Sequence, residues 1–199
     1  MNTQKVTEFC GWYGKNREFY EELTEFVKEL LVSTIAHSRR REIMKIDLYS
    51  VEARCKQVDS LRDKLLSDEY PDDFPAKEIF DLVGSRVIGY SKYDVENIVE
   101  LIKNNFIVHK IEDKQLRLGK AGIGYQSIHI IASLKGGFSV LAEQEKFERF
   151  KDIRFEIQVR TLLQEAWAAK IIRKATNSRG FCQTKLSVNF ICFQPLLNY

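Results

Sequence analysis

Residues 82–111 read LVGSRVIGYSKYDVENIVELIKNNFIVHKI, and a change of hydrophobic period within this stretch decides the fold. The first part, 82–90, is apolar and rich in β-branched residues, as buried strands are. From 93 to 104 the apolar residues recur every three or four positions, which predicts a helix whose buried face carries Val95, Ile98, Val99 and Ile102. Residues 106–111 are again apolar and β-branched. The stretch therefore predicts a strand, a helix and a second strand.

Further signals lie on both sides of this unit. Three more segments have the composition or alternation of strands: 43–51, Gln126–Leu134 and 153–159. Two segments before the unit have helical spacing, 15–38 and 59–66, and a loop with Pro71 and Pro75 follows the second. The sum is a mixed sheet of about five strands with helices packed against it, an α/β or α+β architecture.

The C-terminal part of this region predicts two more helices. Residues 135–150 contain a glycine turn followed by a short, charged helix. Thr161 is a suitable first residue for another helix, because its hydroxyl can cap the backbone N–H groups. In that helix Leu162, Ala166 and Ala169 are expected to face the sheet.

Composition indicates a globular protein with one sizeable core. The 199 residues are 44% hydrophobic and 12% aromatic, and no apolar run is long enough to span a membrane. The N-terminus lacks a basic-then-apolar signal pattern, so we expect a soluble, cytoplasmic protein with no membrane partner. The four cysteines are far apart and lack metal-ligand spacing, which predicts reduced, unpaired thiols at Cys10, Cys55, Cys182 and Cys192.

The net charge of +3 comes from the C-terminal end. Four of the 31 basic side chains and none of the 28 acidic ones lie in 171–199, so the rest of the chain is nearly neutral. Phosphate binding must therefore come from local clusters. The same tail is too apolar for an ordinary disordered linker. We divide the chain into an N-terminal helical segment at 1–45, a main domain at 46–170 and a basic, apolar tail at 171–199.

A group of polar residues follows the first predicted strand: Arg54, Lys56, Ser60 and Lys64. Ser60 and Lys64 are four positions apart, so the predicted helix presents them on one face. Arginine and lysine donate charge-assisted hydrogen bonds to phosphate oxygens, and an arginine plane can also stack on a base. The set therefore suits a polyphosphate. The competing interpretation is a solvated helix face with salt bridges to Asp59 and Asp63.

Two acids stand where strands could hold a metal ion between them. Asp81 directly precedes the strand that contains Arg86. Alternation in 153–159 and the two residues after it separates a polar face, Glu156, Gln158 and Arg160, from an apolar one, Phe155, Ile157 and Val159. Magnesium prefers one or two carboxylates together with phosphate oxygens of a substrate, so Asp81 and Glu156 predict a Mg²⁺ site. A polar edge strand is the alternative for the second segment.

A glycine-rich turn precedes the strand Gln126–Leu134. Gly122 and Gly124 let the backbone approach a ligand. Alternation puts Tyr125 and His129 on one strand face, the first offering a ring for stacking and the second a phosphate contact. A lone histidine in a strand is usually structural. Here it could converge with the acids and the arginine described above.

Four motifs and a short Ala-Trp-Ala run occur in a fixed order. They are Arg54-x-Lys56-x-x-x-Ser60-x-x-x-Lys64, Asp81-Leu-Val-Gly-Ser-Arg86-Val-Ile, Gly124-Tyr-Gln-Ser-Ile-His129, Glu156-Ile-Gln-Val-Arg-Thr161 and Ala166-Trp-Ala168. Their order and spacing resemble the synthetase domain of the RelA/SpoT family, the pyrophosphokinases that make guanosine tetraphosphate and pentaphosphate alarmones. The resemblance extends from about residue 50 to about residue 170. It implies a nucleotidyltransferase-like fold and transfer of the β,γ-diphosphate of ATP to the 3′-hydroxyl of GDP or GTP.

The resemblance also implies roles on the donor side of the reaction. Arg54 and Arg86 would sandwich the adenine of ATP, and the ATP phosphates would be held by Lys56, Ser60 and Lys64. Asp81 would bind Mg²⁺. Glu156 would share the metal or act as the base that activates the 3′-hydroxyl, and Gln158 would support it. No further cofactor is implied.

On the acceptor side, Tyr125 would stack on the base and His129 would contact phosphates. Two departures affect this side. Lys120 is near the Gly124-Tyr125 pair but not directly ahead of it, which leaves the acceptor phosphate contacts open. Glu165 stands where guanine-selective members often carry asparagine, which leaves the choice of base open.

A third departure concerns the end of the chain. After Ala168 the family's usual histidine and Tyr-Lys pair are missing, so residues beyond about Thr176 are not expected to continue as its terminal helix. Two other functions compete with alarmone synthesis. One is a toxin-type relative that modifies the 3′ end of tRNA, with 39–41 and 114–120 as basic RNA contacts, and the other is an inactive nucleotide-binding module. The family includes tetramers and monomers, so the resemblance also allows a homo-oligomer.

Overall fold

The computed structural model describes residues 3–67, 79–115, 126–136 and 141–177. The elements in these ranges are α1 Thr3–Lys15, α2 Arg17–Arg40, β1 Leu48–Cys55, α3 Val58–Leu66, β2 Val83–Gly89, α4 Lys92–Asn105, β3 Phe106–Gln115, β4 Gln126–Leu134, α5 Leu141–Phe150, β5 Phe155–Thr161 and α6 Leu162–Asn177. The strands form one mixed sheet in the order β1-β2-β5-β4-β3. Only β2 and β5 pair in parallel among these neighbours. The predicted α+β architecture is confirmed.

The strand, helix and strand predicted from 82–111 are β2, α4 and β3. A capping box begins α4: the Asp94 backbone N–H donates to Ser91 Oγ, and the Ser91 backbone N–H donates to Asp94 Oδ2 at 2.8 Å. Gly89 ends β2 against this cap, and a Cβ at that position would lie 2.7 Å from Asp94 Cβ. The tight connection therefore requires glycine.

One face of the sheet is apolar and is covered by α2 and α4. The strands send alternate side chains into this layer, among them Val83, Val87, Ile157 and Val159. The helices contribute their buried stripes to the same core, including Leu23, Phe26 and Leu30 from α2 and Ile98 and Ile102 from α4. The opposite face carries the remaining side chains of every strand, and the polar residues gather there.

The helix predicted at 15–38 is α2, which begins at Arg17, whereas the helix before it, α1, was not predicted. The buried side of α1 consists of Val6, Cys10 and Tyr13. Two glycines lie within α1, and glycine disfavours helix interiors, so the sequence pattern concealed this element. The Tyr13 hydroxyl donates to the Lys56 carbonyl at 2.8 Å, which fixes α1 against the end of β1.

Three strand boundaries differ from the predicted ones. The sequence predicts β1 at 43–51, β3 at 106–111 and β5 at 153–159, whereas all three strands end later. Hydrogen bonding to the neighbouring strand sets each end, and β5 continues to Thr161 because that residue still pairs with Gly89. The shift of β1 places Arg54 inside the strand, not after it.

The inner face of α6 also differs from the predicted one. Ala166 and Ala169 were expected to face the sheet but are exposed, and Ala168 is buried instead. The helix takes this rotation because Glu165 faces the sheet and contacts two arginines there. Apolar periodicity could not reveal the rotation, since the deciding contact is ionic.

The described residues include no helix that is both long and apolar enough to cross a membrane. Cys10 and Cys55 are buried free thiols, as predicted. Several other predictions lie outside the described residues: those on Pro71, Pro75, Gly122, Gly124, Cys182, Cys192 and the chain beyond Asn177.

Candidate active site

The polar face of the sheet brings most of the predicted site residues together. Strand pairing puts Glu52 opposite Arg86, Arg86 opposite Gln158, and Gln158 opposite His129. One row of polar side chains therefore crosses β1, β2, β5 and β4. Arg86, Gln158 and His129 are buried in this row, although burial of such groups is costly unless they are paired.

Two lysines and an aspartate form a group at one end of this face. Lys56 follows β1, Lys64 lies on α3, and Asp81 precedes β2. Both ammonium groups donate to Asp81 Oδ2, at 2.7 Å from Lys56 and 2.6 Å from Lys64. None of the three side chains is more than 17% exposed. Two positive charges thus share one carboxylate, which favours an anionic ligand at this place.

Burial alone would raise the pKa of Asp81, but the charges of Lys64 and Lys56 hold that pKa below its ordinary value. Asp81 is therefore ionised at neutral pH. The competing interpretation of Lys64, a solvated ion pair on its own helix, is wrong because its ammonium group contacts Asp81 across the site. Ser60 is exposed one turn earlier on α3, and its contact with phosphate stays a prediction.

Asp81 Oδ1 is buried and has no hydrogen-bond partner in the part of the chain that the structure describes. Such an oxygen is costly to bury unless a ligand completes it. The described residues contain no group of three or more His, Cys, Asp or Glu side chains that could hold a metal. Mg²⁺ needs only one or two carboxylates when phosphates supply the other oxygens. Asp81 therefore fits a Mg²⁺ ion that arrives with a phosphorylated substrate.

Glu156 lies near the middle of the polar face, and both of its carboxylate oxygens are hydrogen-bonded. His129 Nδ1 lies 2.6 Å from Oε1, and Gln158 Nε2 donates to Oε2 at 3.0 Å. Burial alone would raise the pKa of Glu156, but the hydrogen bond and charge of His129 lower it, while the charge of Asp81 acts in the opposite direction. Glu156 is thus ionised at neutral pH, and His129 Nδ1 carries the proton that it donates. The influence of Asp81 places the two acids within electrostatic reach of each other.

These shifts predict a loss of stability in acid. A carboxylate with a lowered folded pKa contributes stability above its unfolded pKa, about 3.9 for Asp and about 4.3 for Glu, and loses it as pH falls through the folded value. From Asp81 and Glu156 we expect a free energy of unfolding that is flat above about pH 5 and falls below about pH 4 in urea titrations. The Asp81→Asn variant should show a shallower fall, and an equal fall in both proteins would contradict the assignment.

Two buried arginines and Glu165 close the other end of the polar face. Glu165 lies in the first turn of α6, where a capping box between Thr161 and Gln164 fixes the helix start. Arg86 Nη1 donates to Glu165 Oε1 at 2.6 Å, and Arg160 Nη1 lies 3.0 Å from Glu165 Oε2. Glu165, predicted on the acceptor side, is therefore an ion-pair partner of the arginine predicted to bind adenine.

Gly84 lies between Arg54 and Glu156 in the sheet. Arg54 pairs with Gly84, and Gly84 pairs with Glu156. Because neighbouring strands lie about 4.8 Å apart, the two backbones are roughly 10 Å apart. Gly84 is itself buried, and it contributes no side chain between Arg54 and Glu156. Sequence reasoning did not identify Gly84, although its position two residues before Arg86 places it on the polar face.

The structure thus groups Lys56, Lys64 and Asp81 at one end, and Arg86, Arg160 and Glu165 at the other, with Glu156, Gln158 and His129 between them. Sequence reasoning put Arg160 on this face but gave it no role. Its signal was the unbroken polar alternation of β5. Two predicted acceptor residues, Tyr125 and Lys120, lie outside the described residues.

Solved structures share this fold at low identity. Small alarmone synthetase 1 from Bacillus subtilis superposes with a TM-score of 0.62 at 19% identity, covering 86% of this chain and 82% of that chain. A GTP pyrophosphokinase family protein from Streptococcus pneumoniae gives 0.62 at 20% identity, covering 84% and 77%. At these identities the likeness shows the fold.

Family membership rests on a separate comparison. No curated protein matches the chain significantly. A family model described as the region found in RelA / SpoT proteins matches residues 53–177, which is more than half of the chain and includes the polar face. The match begins in β1 and ends with α6, so it includes the grouped site residues from Arg54 to Glu165. The chain therefore belongs to the RelA/SpoT family.

Proposed function

We propose that this chain is an ATP-dependent pyrophosphokinase that transfers the β,γ-diphosphate of ATP to the 3′-hydroxyl of a guanine nucleotide. The observation that carries the proposal is the buried group of Lys56, Lys64 and Asp81, with one carboxylate oxygen that accepts no hydrogen bond from any described residue, on the same face as the ionised Glu156. Transfer of phosphoryl groups depends mainly on positioning and charge neutralisation, which this arrangement supplies. The Bacillus subtilis relative has been solved with its product pppGpp and with AMPCPP, which supports nucleotide ligands.

On the donor side, the triphosphate would enter at the two lysines. Their ammonium groups, which now share Asp81, would turn to phosphate oxygens, and Asp81 would turn to Mg²⁺ through Oδ1. Mg²⁺, when bound, would neutralise charge on the phosphates. Arg54 and Arg86 would hold the adenine, since a guanidinium can stack on a base through a flat face while its edge keeps an ion pair.

On the acceptor side, Glu156 would act as general base. Its oxygens each keep a lone pair beyond those used by His129 and Gln158, so one can accept the proton of the 3′-hydroxyl. The hydroxyl oxygen then forms a bond to the β-phosphorus of ATP, the bond from that phosphorus to the α–β bridging oxygen breaks, and AMP leaves. The lowered pKa keeps Glu156 in the basic form at neutral pH.

The remaining acceptor contacts stay proposals from the family resemblance. His129 would donate to acceptor phosphates through Nε2 when protonated there, and Tyr125 and Lys120 would supply stacking and charge. A tRNA 3′ end is the second candidate acceptor. The observation that favours it is the exposed basic run Arg39, Arg40 and Arg41 at the end of α2.

An acceptor assay tests the proposal. The protein is incubated with Mg²⁺ and ATP labelled in the γ-phosphate, and with GDP, GTP or deacylated tRNA as separate acceptors. We expect label to move to GDP or GTP with stoichiometric release of AMP. Label on tRNA alone would make the second candidate correct. Calorimetric binding of ATP and Mg²⁺ without transfer to any acceptor would identify an inactive module and defeat both.

A further inference from the structure

A continuous chain of polar contacts runs along the site face. It begins at Arg86, passes through Glu165, Arg160 and Gln158, and ends at Glu156 and His129. Its links measure 2.6 Å from Arg86 to Glu165, 3.0 Å from Glu165 to Arg160, 3.0 Å from Gln158 to Glu156 and 2.6 Å from Glu156 to His129. The chain therefore joins the donor-side arginine to the proposed general base.

Arg160 determines the orientation of the Gln158 amide. Arg160 Nη2 donates to Gln158 Oε1. An arginine has no acceptor atom, so it can face only the oxygen of the amide. The amide nitrogen must then point the other way, where it donates to Glu156 Oε2. Arg160 thus acts on the Glu156 carboxylate through an intermediate side chain that has one permitted orientation.

Glu165 connects this half of the chain to Arg86. Its two oxygens contact different arginines, one on β2 and one on β5, from the first turn of α6. Both arginines are buried, at 5% and 2% exposure, whereas the Glu165 side chain is 23% exposed at the rim. A carboxylate held between two rigid guanidinium planes restricts the rotation of each.

We propose that Arg160 and Glu165 are positioning residues that hold Arg86 and Glu156 at fixed positions relative to each other. The arginine that binds ATP and the base that removes the proton are then oriented together. The proposal rests on the proposed function. We assign neither residue a contact with the reacting atoms. Their effect comes from orienting groups that do, and misplacement of about 1 Å in such groups can cost about 10²-fold in rate.

The test compares three variants of the full chain: Arg160→Lys, Glu165→Gln and the double variant. Lysine keeps the charge but has no planar fork, so it cannot hold Glu165 and Gln158 together. For Arg160→Lys we expect kcat to fall by about 10- to 100-fold with KM for ATP changed by less than about threefold. For Glu165→Gln we expect both a lower kcat and a higher KM for ATP, because Arg86 is loosened as well. Arg149→Lys is the matched control. Arg149 lies on α5, away from the site, and its Nη1 is 2.9 Å from Oε2 of Glu22 on α2.

The loss of kcat in the double variant shows whether Arg160 and Glu165 act as one unit or independently. If the chain acts as a unit, the double variant should be no slower than the slower single variant. Unfolding temperatures of all variants are measured in parallel. If Arg160→Lys does not fold, the kcat of Glu165→Gln, a change at the rim of the site, tests the positioning role. Multiplicative losses in the double variant, or wild-type kcat in folded Glu165→Gln, would overturn the positioning role while the proposed function stands. A wild-type chain that transfers no pyrophosphate would overturn the proposed function and the positioning role with it.

Discussion

Asp81→Asn should reduce pyrophosphate transfer by at least about 10³-fold while ATP still binds. Asparagine keeps the size of the side chain but removes the charge that orients Lys56 and Lys64 and the oxygen proposed for Mg²⁺. The two lysines remain available to phosphate. The measurements are kcat in the acceptor assay and calorimetric titration of ATP with and without Mg²⁺.

The same substitution should lower stability in the absence of nucleotide. Removing one partner of a buried ion pair leaves an uncompensated charge and typically costs about 3–5 kcal/mol, and here two ammonium groups lose their carboxylate. A triphosphate can replace that carboxylate. ATP in EDTA should therefore raise the unfolding temperature of Asp81→Asn at least as much as that of the wild type.

Asp63→Asn is the matched control, because Asp63 is an exposed acid on the same helix as Lys64. It should leave kcat, ATP affinity and unfolding temperature close to wild type. Wild-type turnover in a folded Asp81→Asn protein would remove Asp81 from the mechanism. A residual rate of Asp81→Asn with the same Mg²⁺ dependence as the wild type would also remove Asp81 from the mechanism.

The parts of the fold that were predictable from sequence depend on local patterns. The helix from Lys92 to Asn105 and the strand Gln126–Leu134 follow from period and from capping residues close by in the chain. The first helix was missed because its buried stripe is short and contains Cys10 and Tyr13, and because two glycines interrupt it. Its stability comes from packing on α3, which no local pattern contains.

The same distinction applies to the candidate site. Alternation predicted correctly that Glu156, Gln158 and Arg160 share a face. The sequence could not show that Lys64 would pair with Asp81, since an acid on its own helix is nearer in the chain. Nor could it show that Glu165 turns inward, because that rotation depends on arginines from two strands meeting after folding. Ion pairs between residues that are far apart in the chain could therefore not be predicted from the sequence.

Glu156→Gln should lower kcat by about 10²- to 10⁴-fold, the usual contribution of a general base, with KM for ATP changed little. The change preserves shape. It should still cost about 1–3 kcal/mol of stability, because an amide offers one acceptor and one donor end, and both present partners of the carboxylate donate to it. Glu148→Gln, at an exposed acid on α5, is the control.

The Mg²⁺ dependence of this variant separates the two roles suggested for Glu156, general base and metal ligand. Both of its oxygens already accept hydrogen bonds, whereas Asp81 keeps a buried oxygen that accepts none from the described residues, so we expect the proposed metal role to belong mainly to Asp81. The Mg²⁺ concentration for half-maximal rate should then be unchanged in Glu156→Gln and raised in Asp81→Asn. A rise of equal size in both would show that Glu156 shares the metal, and wild-type kcat in Glu156→Gln would exclude it as the base.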